Sequence, residues 1–162
     1  MKLRPIGIVH SPFKSAAGTP IQPRFARGAE GRVEIREEFV PGLRDLRGFD
    51  RIWLLYWFDR AAPAEPGMLV KPYLDRHTRG LFATRAPARP NPIGMSCVRL
   101  KKVRGNILTI GDVDILDGTP LLDIKPYVPD FDVFAVGRTG WFSKAEGKRR
   151  VADDRFESKA RK

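Results

Sequence analysis

The sequence contains one cysteine, Cys97, and lacks any long uninterrupted apolar run. A lone cysteine cannot form an intramolecular disulfide, which excludes the disulfide scaffold of many small secreted domains. A helix that spans a membrane needs about 18 or more consecutive apolar residues, and none are present. The N-terminus also lacks the apolar centre of a signal peptide. The sequence therefore predicts a cytoplasmic protein with no membrane partner.

The common catalytic motifs are also missing. The sequence has no Walker A loop, no HExxH motif, no GxSxG elbow and no GxGxxG turn after a strand, which disfavours a Rossmann-type enzyme. No pair of cysteines is available to hold zinc. The two histidines, His10 and His77, are far apart in the sequence, so we expect no metal site.

Positive charge is what the chain has in excess. It carries 30 Lys and Arg residues against 19 Asp and Glu residues, a formal net charge of +11 over 162 residues. A basic surface attracts polyanions and raises their encounter rate, and nucleic acid is the commonest such partner. The same charge would also keep a protein soluble without any such partner.

Glycine and proline punctuate the whole sequence, with 15 and 14 residues respectively. That density breaks long helices, and the apolar runs between them are short and rich in β-branched and aromatic residues. The predicted strands cover residues 4–10, 31–35, 51–58, 81–84, 95–104, 107–115 and 120–127. The sequence predicts an all-β fold of mostly antiparallel strands in a small, closed or partly closed barrel.

Local patterns refine this architecture. Gly105-Asn106 predicts a tight hairpin whose first arm, VRLKKVR, presents one basic face, and RIWLLYWF predicts a central strand covered on both sides. Proline favours a helical turn over residues 41–46. The long loops 12–30 and 60–80 are candidates for function. We expect residues 1–142 to form one domain and residues 143–162, with eight basic and four acidic side chains, to form a weak helix or a disordered basic arm.

The segment FATRAPARPNPIGMS, residues 82–96, is a candidate binding loop. Its three prolines hold the backbone extended, so it presents Arg85, Arg89 and Asn91 at little ordering cost. Arginine makes planar contacts to carboxylates and phosphates and stacks on adenine, and asparagine can pair with an adenine edge. An ordinary extended connector with solvated arginines would have the same composition.

The segment DVDILDGTPLLDIKPY, residues 112–127, is the second candidate. Asp117-Gly118-Thr119-Pro120 has the composition of a tight turn, and its aspartate and amides could hold the charged groups of a zwitterion. Strand alternation would place Asp112 and Asp114 on one face. Pairing of these carboxylates with Arg99, Lys101 or Lys102 is the alternative.

Five segments together resemble the TsaA-like domain of the tRNA methyltransferase O family. They are IGIVHSPFK, GTPIQPR, LRGFDRIWLLYWF, FATRAPARPNPIGMS and DVDILDGTPLLDIKPYVP, and they follow the family's order over roughly residues 4–130. The resemblance implies a small β-barrel, a homodimer, S-adenosylmethionine as methyl donor, and methylation of N6 of a threonylcarbamoylated adenosine next to the tRNA anticodon. Bacterial family members commonly continue into a C-terminal domain that helps to bind tRNA, where this chain has a basic tail.

Carried over residue by residue, the resemblance implies a set of cofactor contacts. They are Pro20, Ile21, Gln22, Asp59, Arg60, Arg85, Val98, Asp117, Gly118, Thr119 and Pro120. Asp59 stands where family members often carry histidine. Arg89 and Asn91 are the candidates for substrate binding.

The implied reaction needs a proton acceptor, because a carbamoylated adenine N6 is a poor nucleophile until its proton leaves. Asp114 and Tyr127 are the candidates for that catalytic role, and Tyr127 could instead cap the barrel. Basic side chains on the hairpin and tail are expected to bind RNA phosphates. Two other readings remain open: a non-catalytic RNA-binding barrel, and a methyltransferase that acts on an acceptor other than tRNA.

Overall fold

The strands form a closed antiparallel barrel, as the sequence predicts. The computed structural model describes residues 3–64, 66–145 and 150–158, and within these ranges six strands close on one another in the order β1-β2-β7-β6-β3-β8. The barrel strands are β1 (Gly7–His10), β2 (Glu30–Ile35), β3 (Arg51–Trp57), β6 (Ile93–Arg104), β7 (Ile107–Gly111) and β8 (Thr119–Pro126). A two-stranded sheet of β4 (Leu69–Val70) and β5 (Arg79–Gly80) lies in the long connection between β3 and β6. Closure pairs both edges of every barrel strand, which protects them from association with other chains.

Helical structure is confined to short turns. The four-residue helix α1 covers Pro129–Asp132, and the 3₁₀ turns cover Pro23–Phe25, Glu37–Leu43, Leu46–Gly48, Pro66–Met68, Leu81–Ala83 and Gly140–Lys144. No helix of the described residues has the length and apolar character needed to cross a lipid bilayer.

The barrel interior is filled by alternate side chains of each strand. On β3, Ile52 and Leu54 are fully buried, whereas the alternate side chains, such as that of Trp53, are half-buried. Each fully buried aliphatic side chain contributes about 1.5–3 kcal/mol. The prediction that this strand is covered on both sides is wrong, because a barrel has one interior and the outward face meets solvent and loops.

The β6–β7 hairpin confirms the turn predicted at Gly105-Asn106. Gly105 has φ of 56°, the conformation that a type II′ turn requires of its first central residue. The Asn106 side chain donates to the Ile35 carbonyl at 3.0 Å, which ties the turn to β2. The exposed basic face of the first arm is also confirmed by the burial of alternate residues along β6.

Three predicted elements differ from the structure. Residues 81–84 form a 3₁₀ turn instead of a strand, since the Thr84 hydroxyl donates to the Leu81 carbonyl at 2.8 Å and closes the turn locally. The strand predicted over 107–115 ends at Gly111, because Asp112 adopts φ of 60°. The helical turn predicted over 41–46 is displaced to two 3₁₀ turns that flank Asp45, which also has positive φ.

The C-terminal segment 150–158 contains a turn, in which the Glu157 amide donates to the Asp154 carbonyl, and packs against both long loops. Its backbone pairs with residues 18–21 and with residues 60–62, through Ala152 and Phe156 among others. Phe156 is buried in a small second core with Val70, Leu81, Ala86 and Ala88. This part of the predicted arm is therefore neither helical nor free of the barrel, and residues 146–149 and 159–162 lie outside the described residues.

Candidate active site

A cavity of about 830 Å³ opens at one end of the barrel. The antiparallel register brings the C-terminal ends of β1, β3 and β7 to the same end as the N-terminal ends of β6 and β8. Strand ends and the two long loops therefore supply its walls, which are mostly apolar with a few polar groups. This combination of size and lining is typical of sites for small molecules.

The cavity brings together residues from four of the segments singled out in the sequence. The predicted site residues that line it are Pro20, Ile21, Gln22, Asp59, Arg60, Arg85, Arg89, Asp114 and Thr119. The loop of residues 82–96, which we call the proline-arginine loop, and the DGTP turn of residues 117–120 are far apart in the sequence yet meet at one site. Thr119 is the member of the turn that reaches the cavity wall, and its side chain is buried.

Asp114 is the buried carboxyl group of the cavity. Its Oδ1 atom is buried and accepts no hydrogen bond from the described residues. Burial raises the pKa of this carboxyl from 3.8 to about 7, against the smaller opposing effects of a hydrogen bond from Ser96 and the charge of Arg85. A carboxyl with such a pKa exchanges protons readily at neutral pH.

Tyr56 and Ser96 complete this polar corner, and sequence reasoning missed both. Their hydroxyl oxygens are 3.1 Å apart, and burial followed by the charge of Asp114 raises the pKa of the Tyr56 phenol above its usual range. The Tyr56 ring lies against Gly94, its partner across β3 and β6, where a Cβ atom would be 2.2 Å from the ring. The glycine of the RPNPIG motif is therefore required for packing. Only the strand register, which the sequence did not supply, would have shown that Tyr56 and Ser96 lie together.

The proline-arginine loop holds its two arginines differently. Arg85 is exposed and donates to the Gln22 side chain at 2.8 Å, which links the loop to the first long loop. Arg89 is half-buried, and its Nη1 atom donates to the Thr84 carbonyl at 3.0 Å. The same atom lies 3.4 Å from two further carbonyls of the loop. Arg85 can therefore reach a ligand freely, whereas Arg89 also stabilises the loop.

The DGTP turn is tied down by its own aspartate. Asp117 Oδ2 accepts a hydrogen bond from Lys14 at 2.6 Å, and Oδ1 accepts one from the Ser11 amide at 3.1 Å. The bond from Lys14, and to a smaller extent the bond from Ser11, lowers the pKa of this carboxyl. Arg60 donates to the Asp117 carbonyl at 2.6 Å, while its Nε atom is buried without a hydrogen-bond partner in the described residues and lies 3.9 Å from Asp59 Oδ1. The turn and the end of β3 are thus fixed relative to each other beside the cavity.

Several predicted site residues lie elsewhere. Val98 is fully buried in the barrel core. Asn91 is exposed, and neither it nor Asp117, Gly118 and Pro120 lines the cavity wall. Tyr127 lies in a neighbouring groove on the outer face of β3 and β6, so the structure does not bring Tyr127 and Asp114 into one cavity.

Asp112 and Asp114 do not share a face, contrary to the prediction. Asp112 pairs with Arg51 at 2.8 Å and approaches Arg99 at 3.8 Å on the outer face, whereas Asp114 lies in the cavity. The positive φ of Asp112 ends the strand and breaks the alternation on which the prediction depended. The alternative, pairing of a carboxylate with Arg99, is confirmed for Asp112.

The C-terminal part of the chain supplies a wall that the sequence did not indicate. Ala152, Phe156 and Glu157 line the cavity together with Trp141, whose indole N–H donates to the Ala83 carbonyl at 2.7 Å. Phe156 packs edge-on against Tyr73 with 5.2 Å between ring centroids. The sequence of residues 150–158 gave no signal that this segment contributes to the site. Among the described residues, no group of three or more His, Cys, Asp or Glu side chains is arranged to hold a metal ion.

Comparison with known proteins relates the chain to one family. The profile of the tRNA-methyltransferase O N-terminal domain matches residues 8–133. A Pyrococcus abyssi protein named "Probable S-adenosyl-L-methionine-binding protein" is 57% identical over 93% of this chain and 81% of that protein. The tRNA (adenine(37)-N6)-methyltransferase of Escherichia coli is 39% identical over 76% of this chain and 56% of that enzyme.

A solved structure shares the fold. The crystal structure of TrmO from Pseudomonas aeruginosa superposes with a TM-score of 0.72 and 39% sequence identity, covering 86% of this chain and 62% of that chain. The present chain therefore spans a little over half of the Escherichia coli enzyme and about three fifths of the solved protein.

Proposed function

The chain belongs to the family of the tRNA-methyltransferase O N-terminal domain, and on this premise we propose that it is an S-adenosylmethionine-dependent tRNA methyltransferase. Its proposed acceptor is N6 of threonylcarbamoylated adenosine next to the anticodon. The observation that carries the proposal is the cavity at the barrel end, where the buried Asp114 carboxyl, whose Oδ1 atom has no hydrogen-bond partner in the described residues, and the exposed Arg85 face apolar walls. The names of the relatives in Pyrococcus abyssi and Escherichia coli support the donor and the acceptor.

The residues of the cavity fit the proposed methyl donor. S-Adenosylmethionine supplies a methyl group that its positively charged sulfonium already activates. The lining includes carboxylates that suit the sulfonium and the amino group, and arginines that suit the carboxylate end. Arg60 Nε is buried without a hydrogen-bond partner in the described residues, and its guanidinium charge suits the carboxylate end of the donor.

The roles of individual residues follow from their positions. Pro20, Ile21 and Gln22 would contact the donor from the first loop, and Arg85 would do so from the proline-arginine loop. Asp117, Gly118 and Pro120 would act from behind the wall by fixing Thr119 and Arg60. We assign Val98 to the barrel core and Asn91 to the entrance, where an acceptor base could pair with it.

Asp114 is the proton acceptor in this proposal. The N6 proton must leave as the new N–C bond forms and the S–C bond breaks, and a carboxylate with a pKa near 7 can take that proton at neutral pH. Its unpaired Oδ1 atom is the position that would receive the proton. Tyr127 is assigned instead to the outer groove. The apolar walls exclude water, which would otherwise compete with the adenine for the position in line with the S–CH₃ bond.

A homodimer is proposed as the working assembly. The segment around α1 exposes Phe131, Val133, Phe134 and Val136, each more than 60% exposed. A contiguous apolar segment of this kind on a soluble protein indicates an interface. We assign it to a second copy, as the family resemblance implies. Such a protein would act in the cytoplasm, where tRNA is modified.

Methyl transfer to defined RNAs tests the proposal. The protein is incubated with deuterated-methyl S-adenosylmethionine and with tRNA that contains or lacks the threonylcarbamoyl group, and nucleosides are analysed by mass spectrometry. We expect a labelled methyl group on the modified adenosine alone. Arg85→Ala should reduce the yield, and Arg44→Ala, which removes an exposed arginine outside the cavity, should not.

Two results would direct the assignment elsewhere. Calorimetry that detects no S-adenosylmethionine binding, with RNA binding intact, would identify a non-catalytic RNA-binding barrel. Donor binding with label appearing only in a tRNA-free extract would identify another acceptor. Nucleoside analysis of cells with and without the protein provides the check in vivo.

A further inference from the structure

A second depression, of about 960 Å³, lies on the outer face of β3 and β6 beside the cavity. Outward-facing residues of the two strands form its base, and residues 22–28 of the first long loop form one side. We call it the basic groove. The cationic side chains that line it are Arg24, Arg27, Arg51, Arg85, Arg99 and Lys101, and the lining contains one carboxylate, Asp112.

Part of this positive charge is available to a ligand, whereas Lys101 pairs with Glu30 and Arg99 lies 3.8 Å from Asp112. Arg24 and Arg27 are exposed and form no ion pair within the described ranges 3–64, 66–145 and 150–158. Arg51 is held by Asp112 and by the Cys97 carbonyl at 3.1 Å, so it defines the base of the groove. An excess of cations that the protein does not neutralise is the electrostatic pattern of a phosphate-binding surface.

The basic groove continues into the cavity. Gln22, Arg85 and Met95 line both depressions, so the hydrogen-bonded pair of Gln22 and Arg85 marks the passage between them. Trp53 and Tyr127 add half-buried aromatic surface to the groove, with ring centroids 5.9 Å apart. Cations that follow a backbone and aromatic rings that stack on bases are the two parts of a single-stranded nucleic-acid site.

We propose that the basic groove binds the sugar-phosphate backbone of a single-stranded RNA segment, whose target base passes Arg85 into the cavity. The inference rests on the proposed function, because it assumes an RNA acceptor. It assigns the RNA to the outer face of β3 and β6, including Arg99 and Lys101 of the hairpin arm, rather than to Lys102 and Arg104 of that arm. Asp112 keeps Arg51 in place at the base of the groove, and Arg24 and Arg27 contact the backbone from the side formed by the first long loop.

Paired double variants test the assignment. Arg24→Ala/Arg27→Ala removes two exposed groove charges, and Lys102→Ala/Arg104→Ala removes two exposed charges from the hairpin arm. The affinity of each protein for a fluorescein-labelled anticodon stem-loop is measured by anisotropy over about 50–200 mM salt. Two lost contacts to single-stranded phosphates should make the plot of log K against log salt shallower by about 1.4. We expect this change in the groove variant alone, with restoration in Arg24→Lys/Arg27→Lys.

A parental slope in the groove variant, or an equal loss in the hairpin variant, would overturn the proposal. A change in sedimentation mass with unchanged RNA binding would show that a second copy of the chain occupies the groove, and would also overturn it. Donor binding, measured by calorimetry in every variant, separates this inference from the proposed function. If the groove variant binds RNA more weakly but the parent protein transfers no methyl group, the proposed function alone is rejected. If the groove variant transfers the methyl group as well as the parent does, the groove assignment alone is rejected.

Discussion

Replacing Asp114 by asparagine removes a titratable carboxyl from the cavity and keeps the shape of the side chain. In the folded protein burial raises the pKa of this group from 3.8 to about 7, whereas the unfolded chain restores the ordinary value. Between these two values the unfolded chain has released a proton that the folded protein retains. Stability therefore falls as the pH rises through this window, and the loss is complete above the folded pKa.

The size of the effect follows from the shift. Each pKa unit corresponds to about 1.4 kcal/mol, so the full penalty of the ionised carboxyl above the folded pKa is about 4 kcal/mol. Part of it is already present near pH 5, and between about pH 5 and pH 8 it grows by about 2–3 kcal/mol. Asparagine cannot ionise, so Asp114→Asn should become more stable relative to the parent by that amount over the same interval.

Urea unfolding at the two pH values measures this difference. The free energies of unfolding of parent and Asp114→Asn are compared at each pH, so that the titration of every other group cancels in the comparison. A difference between the two proteins that is the same at both pH values would refute the burial argument. A difference that grows toward low pH would show that the charged form is the one the fold stabilises.

The remaining predictions concern the walls of the cavity. Arg85→Ala should weaken S-adenosylmethionine binding about tenfold or more in calorimetry, equivalent to about 1.4 kcal/mol; an unchanged affinity would assign this arginine to the RNA alone. Gly94→Ala should destabilise the protein by about 1–3 kcal/mol, because the new methyl group would overlap the facing tyrosine ring. Gly42→Ala, where a Cβ meets open space, is the control, and equal melting temperatures would contradict the packing account. Phe156→Ala should cost about 3–5 kcal/mol in urea unfolding, whereas Phe82→Ala, at an exposed position, should cost little; similar losses would argue that residues 150–158 do not dock.

Much of the fold was predictable because it depends on local patterns. Strand alternation, turn residues and the density of glycine and proline identified all six barrel strands of the described residues, and Gly105-Asn106 identified the hairpin. The errors fall where a local backbone choice overrides the pattern. Asp112 in a left-handed conformation ends β7 early, and the Thr84 hydroxyl closes a turn where a strand was expected.

The candidate site was predictable only in part. Composition and the family resemblance identified the proline-arginine loop and the DGTP turn, and both contribute to the cavity. Tyr56, Ser96 and Phe156 were missed because their roles depend on register and on a long return of the chain. Asp117 was expected to contact a ligand, but its bonds to Lys14 and Ser11 hold the turn.

The sequence by itself determined the strands, the basic surface and the two segments that supply the cavity, because periodicity, charge and turn chemistry are properties of neighbouring residues. Tertiary structure decided which carboxylate is buried and which arginines remain free of ion pairs. It also decided that residues 150–158 complete one wall of the cavity. The physical reason is that burial and pairing depend on residues distant in the chain. Asp112 and Asp114 are two positions apart, yet one neutralises Arg51 on the outer face and the other is desolvated in the cavity.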